Sequence, residues 1–475
     1  MYKPCEEILK NHLFAVKALP LNRQTPVMKK SILRKIYIFI PVVMAGITYL
    51  AISGYRSEKP RGIKKVQHVV VIYMENHSFD NLYGQFEGAD GLNNAQLKNI
   101  TQLNADGQPF TVLPPIPESS AFPVNLPNTY FDIDQYVAAD QVSPDVTHRF
   151  YQEQLQIDGG KMDMFAFYNE TKGLTMGYYH TLNLPLYELA KKYTLCDHFF
   201  HSAFGGSFLN HQWLIAAASP VFPNAPEAMK AKMDSTGRLI KDGTVTPDGY
   251  VVNTAVSVNL HPPHFNPAFL VPNQTNPTIG DRLSDKGISW AWYAGGWDNA
   301  AAGKPDRSFT YHHQPFAYFA KYAVGTKARE EHLRDETEFL AAAKNGTLPA
   351  VSFVKPIGLE NEHPGESTVK GGESHAVELI NAVLNGPDAK DAVIILTYDE
   401  NGGFWDHVAP PVIDHWGPGS RIPAIIISPF AKKGYVDHTS YETVSILAFI
   451  EKRWGLKPLN SRDQHADPLS HAFKY

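Results

Sequence analysis

The sequence predicts an α/β domain built on a largely parallel central sheet flanked by helices, and three observations predict it. Apolar, β-branched runs that stop abruptly at polar residues recur at 68–73, 288–293, 350–354, 392–398 and 424–428. Runs of this kind are buried on both faces, as parallel strands covered by helices are. Between them lie helical patterns: one led by Gly205-Gly206-Ser207, one opened by His375, and one over 441–453. The chain has 475 residues with 43% hydrophobic and 12% aromatic content, enough to bury a large core. In such a fold ligands gather at the carboxyl ends of the strands.

Residues 66–475 are read as one domain with two interruptions, 101–145 and 219–279, both rich in Pro and Asn. The second carries a hairpin pattern at 250–258. Long irregular connections of this sort serve as lids or site walls.

The segment before that domain sets the compartment. Residues 36–53 carry no charge, and Lys29, Lys30, Arg34 and Lys35 precede them. The length suits a membrane anchor, and the flanking charge keeps residues 1–35 cytoplasmic while the rest is exported. Read from Met28, the same stretch is a signal peptide that ends at Ala51-Ile52-Ser53. Both readings, with 54–65 as a tether, place the domain in the periplasm or at the cell surface. If uncleaved, the segment makes the membrane a partner.

A net charge of -5 gives no footprint for sequence-independent nucleic-acid binding. The two cysteines, Cys5 and Cys196, flank the apolar segment, so no intrachain disulfide is expected, and Cys196 reads as a small buried residue.

Two strand ends carry the chemistry. The run at 68–73 leads into Glu75-Asn76-His77-Ser78, and that at 392–398 into Asp399-Glu400, followed by Gly402-Gly403. Adjacent buried acids repel one another unless a cation lies between them, and oxygen donors suit a hard divalent ion. Capping of the next helix would account equally for Glu75 and Asn76. Ser207 begins a helix after two glycines, where free N–H groups favour a phosphate; it is a candidate nucleophile or an ordinary cap. Histidines accumulate near these features: His148, His211, the pair His312-His313, His375 and His407. Imidazoles suit both the charge on phosphoryl oxygens and protonation of a leaving oxygen.

The segments ENHSFDNLYG, CDHFFHSAFGGSFLNHQW, GGESH, TYDENGGFWDHVAPP and GPGSRIPAIIISP, in order between about residues 64 and 458, resemble the bacterial phosphoesterase family of secreted acid phosphatases and phospholipases C, related in fold to alkaline phosphatase. The resemblance implies that Glu75, Asn76, Asp399 and Glu400 bind a divalent metal of unspecified identity, and coordination of Ser207 by the same cation would supply its activation. The resemblance further implies that Ser207 is the nucleophile, and that His148, His312, His313 and His375 contact or protonate the phosphate of an ester substrate. His77 departs from the family pattern, which commonly has arginine there. Phospholipases of the family commonly extend into β-rich domains, whereas this chain stops shortly after Trp454, so the resemblance points first to an acid phosphatase and second to a phospholipase C.

Overall fold

Residues 61–117 and 119–475 are described by the computed structural model; the anchor or signal reading of 36–53, and most of the tether, lie outside them. An eight-stranded sheet forms their centre. In chain order its strands are β1 (His68–Met74), β2 (Thr194–Cys196), β3 (Trp290–Ala294), β4 (Leu333–Asp335), β5 (Val351–Lys355), β6 (Ala392–Tyr398), β7 (Ala424–Ile427) and β8 (Tyr435–Asp437), lying in the order β8-β2-β7-β6-β1-β5-β3-β4. Only β7 runs antiparallel to its neighbours.

β1 and β6 occupy the middle because their sequences can be buried on both sides. Every residue of β6 and all but His68 of β1 are buried. The two are paired in parallel from His68↔Ala392 to Met74↔Tyr398. The helices form two groups, Ser207–Ala216 with Ile279–Asp285 and Thr443–Trp454, and Pro185–Lys192 with Glu336–Asn345 and Val369–Leu384. Together they shield the central strands from water.

The five predicted strands are present with ends shifted by no more than two residues. The structure adds β2, β4 and β8, each three residues long. Two predictions are corrected. No hairpin forms at 250–258; the antiparallel pair in that interruption joins Lys232–Met233 to Leu239–Lys241. His375 lies inside the helix Val369–Leu384, whose cap is Thr368. Among the described residues no helix is long and apolar enough to cross a membrane. Cys196 is fully buried and unpaired.

The second interruption braces the residues that follow the first. Asn253 Oδ1 accepts from the Phe150 amide at 3.0 Å, and Asp242 pairs with Arg149. Both contacts lie directly behind His148.

Candidate active site

Because β1 and β6 are paired in register and end together, the residues that follow must emerge side by side. The Asp399 amide donates to the Met74 carbonyl at 3.1 Å, continuing the ladder past the strands. Asn76 N donates to Asp399 Oδ1 at 3.3 Å. Asn76 holds φ at 67°, and Gly402, with φ 62°, backs directly onto it: a Cβ there would lie 2.1 Å from the Asn76 carbonyl oxygen. Only glycine fits at 402. Glu75, Asn76, Asp399 and Glu400 are all buried, around one point.

Ser207 reaches the same point from the helix Ser207–Ala216. Its approach depends on Gly205, at φ 86°, where a Cβ would lie 2.4 Å from the Phe150 nitrogen. The capping alternative fails on geometry, because the cap residue is Gly206 and Ser207 makes no capping bond. Instead its hydroxyl lies 2.9 Å from Glu75 Oε2 and 3.2 Å from Asn76 Oδ1, with one proton to give to either. Capping is likewise not the role of Glu75 or Asn76, since Ser78 caps the helix Phe79–Tyr83.

Histidines close the site on two sides. His148 donates Nδ1–H to the Val146 carbonyl at 2.6 Å, which leaves Nε2 to accept from Asn76 Nδ2 at 3.2 Å, 3.6 Å from Glu400 Oε1. His313 Nε2 lies 2.9 Å from Glu75 Oε1, and its ring stacks on His211 with centroids 4.9 Å apart. His312 lies against both rings. Burial pushes His211 and His312 well below the ordinary imidazole range and His313 to about 4, so all three are neutral at pH 7.

Two residues of the site were not singled out in the sequence. Lys355, the last residue of β5, is buried; its ammonium pairs with Glu75 and donates to the Tyr73 carbonyl at 3.0 Å. Its signal was available: a charged residue ending an apolar run, as at Glu75 and Asp399. His363 sits 5.7 Å from the His148 ring, centroid to centroid, in a loop fastened to the site where the Asn361 carbonyl accepts from the Glu75 amide at 2.9 Å.

Other predicted positions are not brought here. His375 pairs instead with Glu336 at 2.8 Å and lies 3.7 Å from Glu360. His407 belongs to an ionic cluster with Asp80, Asp406 and Arg421. His77 is fully buried, its ring nitrogens facing the acceptors Asn81 Oδ1 and the Glu362 carbonyl and its ring stacked on Phe404, so it serves the packing where the family pattern has arginine.

The donor set fits a divalent cation. Asp399 Oδ2, Glu400 Oε1 and His211 Nε2 are buried without a hydrogen-bond partner. Burial and the neighbouring acids push the Asp399 and Glu400 carboxyls well up. Burial also works against Glu75, but His313 and Lys355 outweigh it and hold Glu75 well below the usual range. Three carboxylates, when ionised, against one ammonium leave two negative charges, the complement of one divalent ion.

A model of the Phosphoesterase family matches residues 66–457, and the chain belongs to that family. It is a phosphoric ester hydrolase. Phospholipase C B of Mycobacterium tuberculosis is 24% identical over 90% of this chain and 82% of its own. Non-hemolytic phospholipase C of Pseudomonas aeruginosa is 23% identical over 86% of this chain and 57% of its own, and non-specific phospholipase C1 of Arabidopsis thaliana 25% over 90% and 75%. A solved protein in the alkaline phosphatase superfamily from Vibrio parahaemolyticus is 10% identical, with TM-score 0.32 over 69% of this chain and 75% of that one.

Proposed function

We propose that Ser207 is the nucleophile of a metal-assisted phosphoester hydrolysis, and that Glu75, Asn76, Asp399, Glu400 and Ser207 are the metal ligands. The observation that carries this reading is the Ser207 hydroxyl, which begins a helix yet does not cap it and points at Glu75 and Asn76. A divalent cation held by this set would lower the pKa of the serine hydroxyl and offset charge on the phosphoryl oxygens. Ser207 Oγ attacks phosphorus, the ester oxygen departs with the bonding pair, and the phosphoserine is then hydrolysed by water, which restores the hydroxyl. His148 faces the site with Nε2, and once that nitrogen has taken up a proton from solvent it is placed to give it to the departing oxygen. The neutral imidazole of His312 supplies a donor to a non-bridging oxygen without adding charge beside Lys355, while His313 holds Glu75.

The monoester substrate of an acid phosphatase and the phospholipid diester of a phospholipase C use the same attack. The names of the relatives, phospholipases C along most of this chain, favour the diester over the monoester that the sequence puts first. Turnover of phosphatidylcholine in mixed micelles against p-nitrophenyl phosphate separates them. A kcat/KM at least tenfold higher on the phospholipid supports the phospholipase C reading, and the reverse ratio supports the acid phosphatase.

A further inference from the structure

Ser207 is aimed by the turn before it, and that turn hangs on one buried carboxylate. The helix Phe150–Ile157 starts just after His148 and carries Glu153, which is buried, in its first turn. Glu153 accepts four hydrogen bonds. Oε2 takes the Gly205 amide at 2.6 Å, while Oε1 takes the Ser420 amide at 2.9 Å, the Ser420 hydroxyl at 3.0 Å and His201 Nε2–H at 2.9 Å. A carboxylate has about four lone-pair sites, so none is left over. Burial works against its charge, but His201 and the Gly205 and Ser420 amides outweigh burial and hold Glu153 below the usual carboxylate range.

The surroundings are shaped to this acid. Gly205 is gripped on both faces of its peptide, since its carbonyl accepts from Asn210 Nδ2 at 3.2 Å while its amide goes to Glu153. A Cβ at Gly419 would lie 2.6 Å from Glu153 Oε1 and 2.2 Å from His201 Cε1, so the chain closes over the acid only without a side chain there. His201 and the segment Gly419-Ser420, which the catalytic chemistry leaves unused, meet on Glu153.

We propose that Glu153 is a positioning residue for the nucleophile: it fixes the Gly205 amide and, through the Gly205-Gly206 turn, the direction of Ser207 Oγ. The inference rests on Ser207 being the nucleophile and names what holds it in line. Two glycines leave the turn many backbone states unless an outside acceptor selects one. Misplacing a reacting atom by about 1 Å can lower a rate on the order of a hundredfold. The same helix follows His148, whose carbonyl lies 2.8 Å from where a Gly206 Cβ would stand, so one element sets the nucleophile and the proton donor relative to each other.

The test compares metal-loaded, full-chain Glu153→Gln, Ser420→Ala and Ser207→Ala on p-nitrophenyl phosphate or phosphatidylcholine, whichever the wild type turns over faster. A glutamine that keeps its oxygen on the three donors at Oε1 turns its NH2 toward the Gly205 N–H, and two donors then face each other. Glu153→Gln should lose at least tenfold in kcat with KM within about threefold of wild type. Ser420→Ala removes a bond from the other oxygen and leaves Gly205 alone, so it should lower the melting temperature and keep kcat within about threefold. A folded Glu153→Gln with wild-type kcat would overturn the proposal, and so would equal kcat losses in Glu153→Gln and Ser420→Ala, because Gly205 would then not be the point of action. Should Glu153→Gln not fold, Glu153→Asp carries the same test: the charge stays, the carboxylate falls one methylene short of Gly205, and a wild-type kcat overturns the proposal. Ser207→Ala keeps the two readings apart. Wild-type turnover in it refutes the nucleophile, whereas an inactive Ser207→Ala beside an unimpaired Glu153→Gln refutes the positioning alone.

Discussion

Met74 and Tyr398 are the last register partners of two buried parallel strands, and everything in the active site follows from what comes after them. Glu75 and Asn76 on one strand, Asp399 and Glu400 on the other, are forced to one place by backbone pairing. Ser207 and the histidines are then brought to it by loops and a helix start.

The ligand assignment is tested by Asp399→Ala. Removing one carboxylate should lower bound divalent metal, measured by elemental analysis of purified protein, and lower turnover with it. Wild-type metal content together with wild-type turnover would remove Asp399 from the set.

Lys355 balances Glu75 without contacting solvent. Lys355→Met leaves Glu75 buried with His313 alone, and breaking such a pair costs about 3–5 kcal/mol. Urea unfolding in chelator should show that loss, and saturating divalent metal should shrink it by giving Glu75 a new partner. An unchanged midpoint in chelator would contradict the charge balance drawn here.

The site's position was legible because strand ends terminate recognisable apolar runs, and Glu75-Asn76 and Asp399-Glu400 were found that way. Lys355 carries the same mark, a charged residue that ends an apolar run. His375 was misplaced because its helix extends six residues further toward the amino end, through Gly371-Gly372, than the glycines suggest. His363 lies in a loop turned by Glu362 at φ 77°, a conformation no local pattern announces. β2, β4 and β8 are too short for a period to register. Their pairing is decided by tertiary contact.

If His148 protonates the departing oxygen, its loss matters most for poor leaving groups. His148→Ala should lose at least tenfold more kcat on an alkyl phosphoester than on a p-nitrophenyl ester, whose phenolate departs without a proton. Equal losses on both would assign His148 to binding alone.

His407 gives a pH dependence independent of the active-site carboxylates. Burial opposes its charge, but the hydrogen bond and the field of Asp80 outweigh burial and raise its pKa to about 9. A folded pKa above the unfolded value means its contribution is full below about pH 6.5 and is lost as pH rises through 9. The melting temperature should therefore fall between pH 7 and 10, and His407→Gln should flatten that fall. Parallel curves for the two proteins would refute the assignment.

Ser207→Ala is the most direct test of the nucleophile. The measurement is turnover of a phosphoester by the purified, metal-loaded variant, with folding verified by its melting temperature. Ser207 makes no capping bond, so stability should change little, while loss of the covalent route should reduce turnover by about a thousandfold or more. Turnover near the wild-type rate in the folded variant would contradict the account.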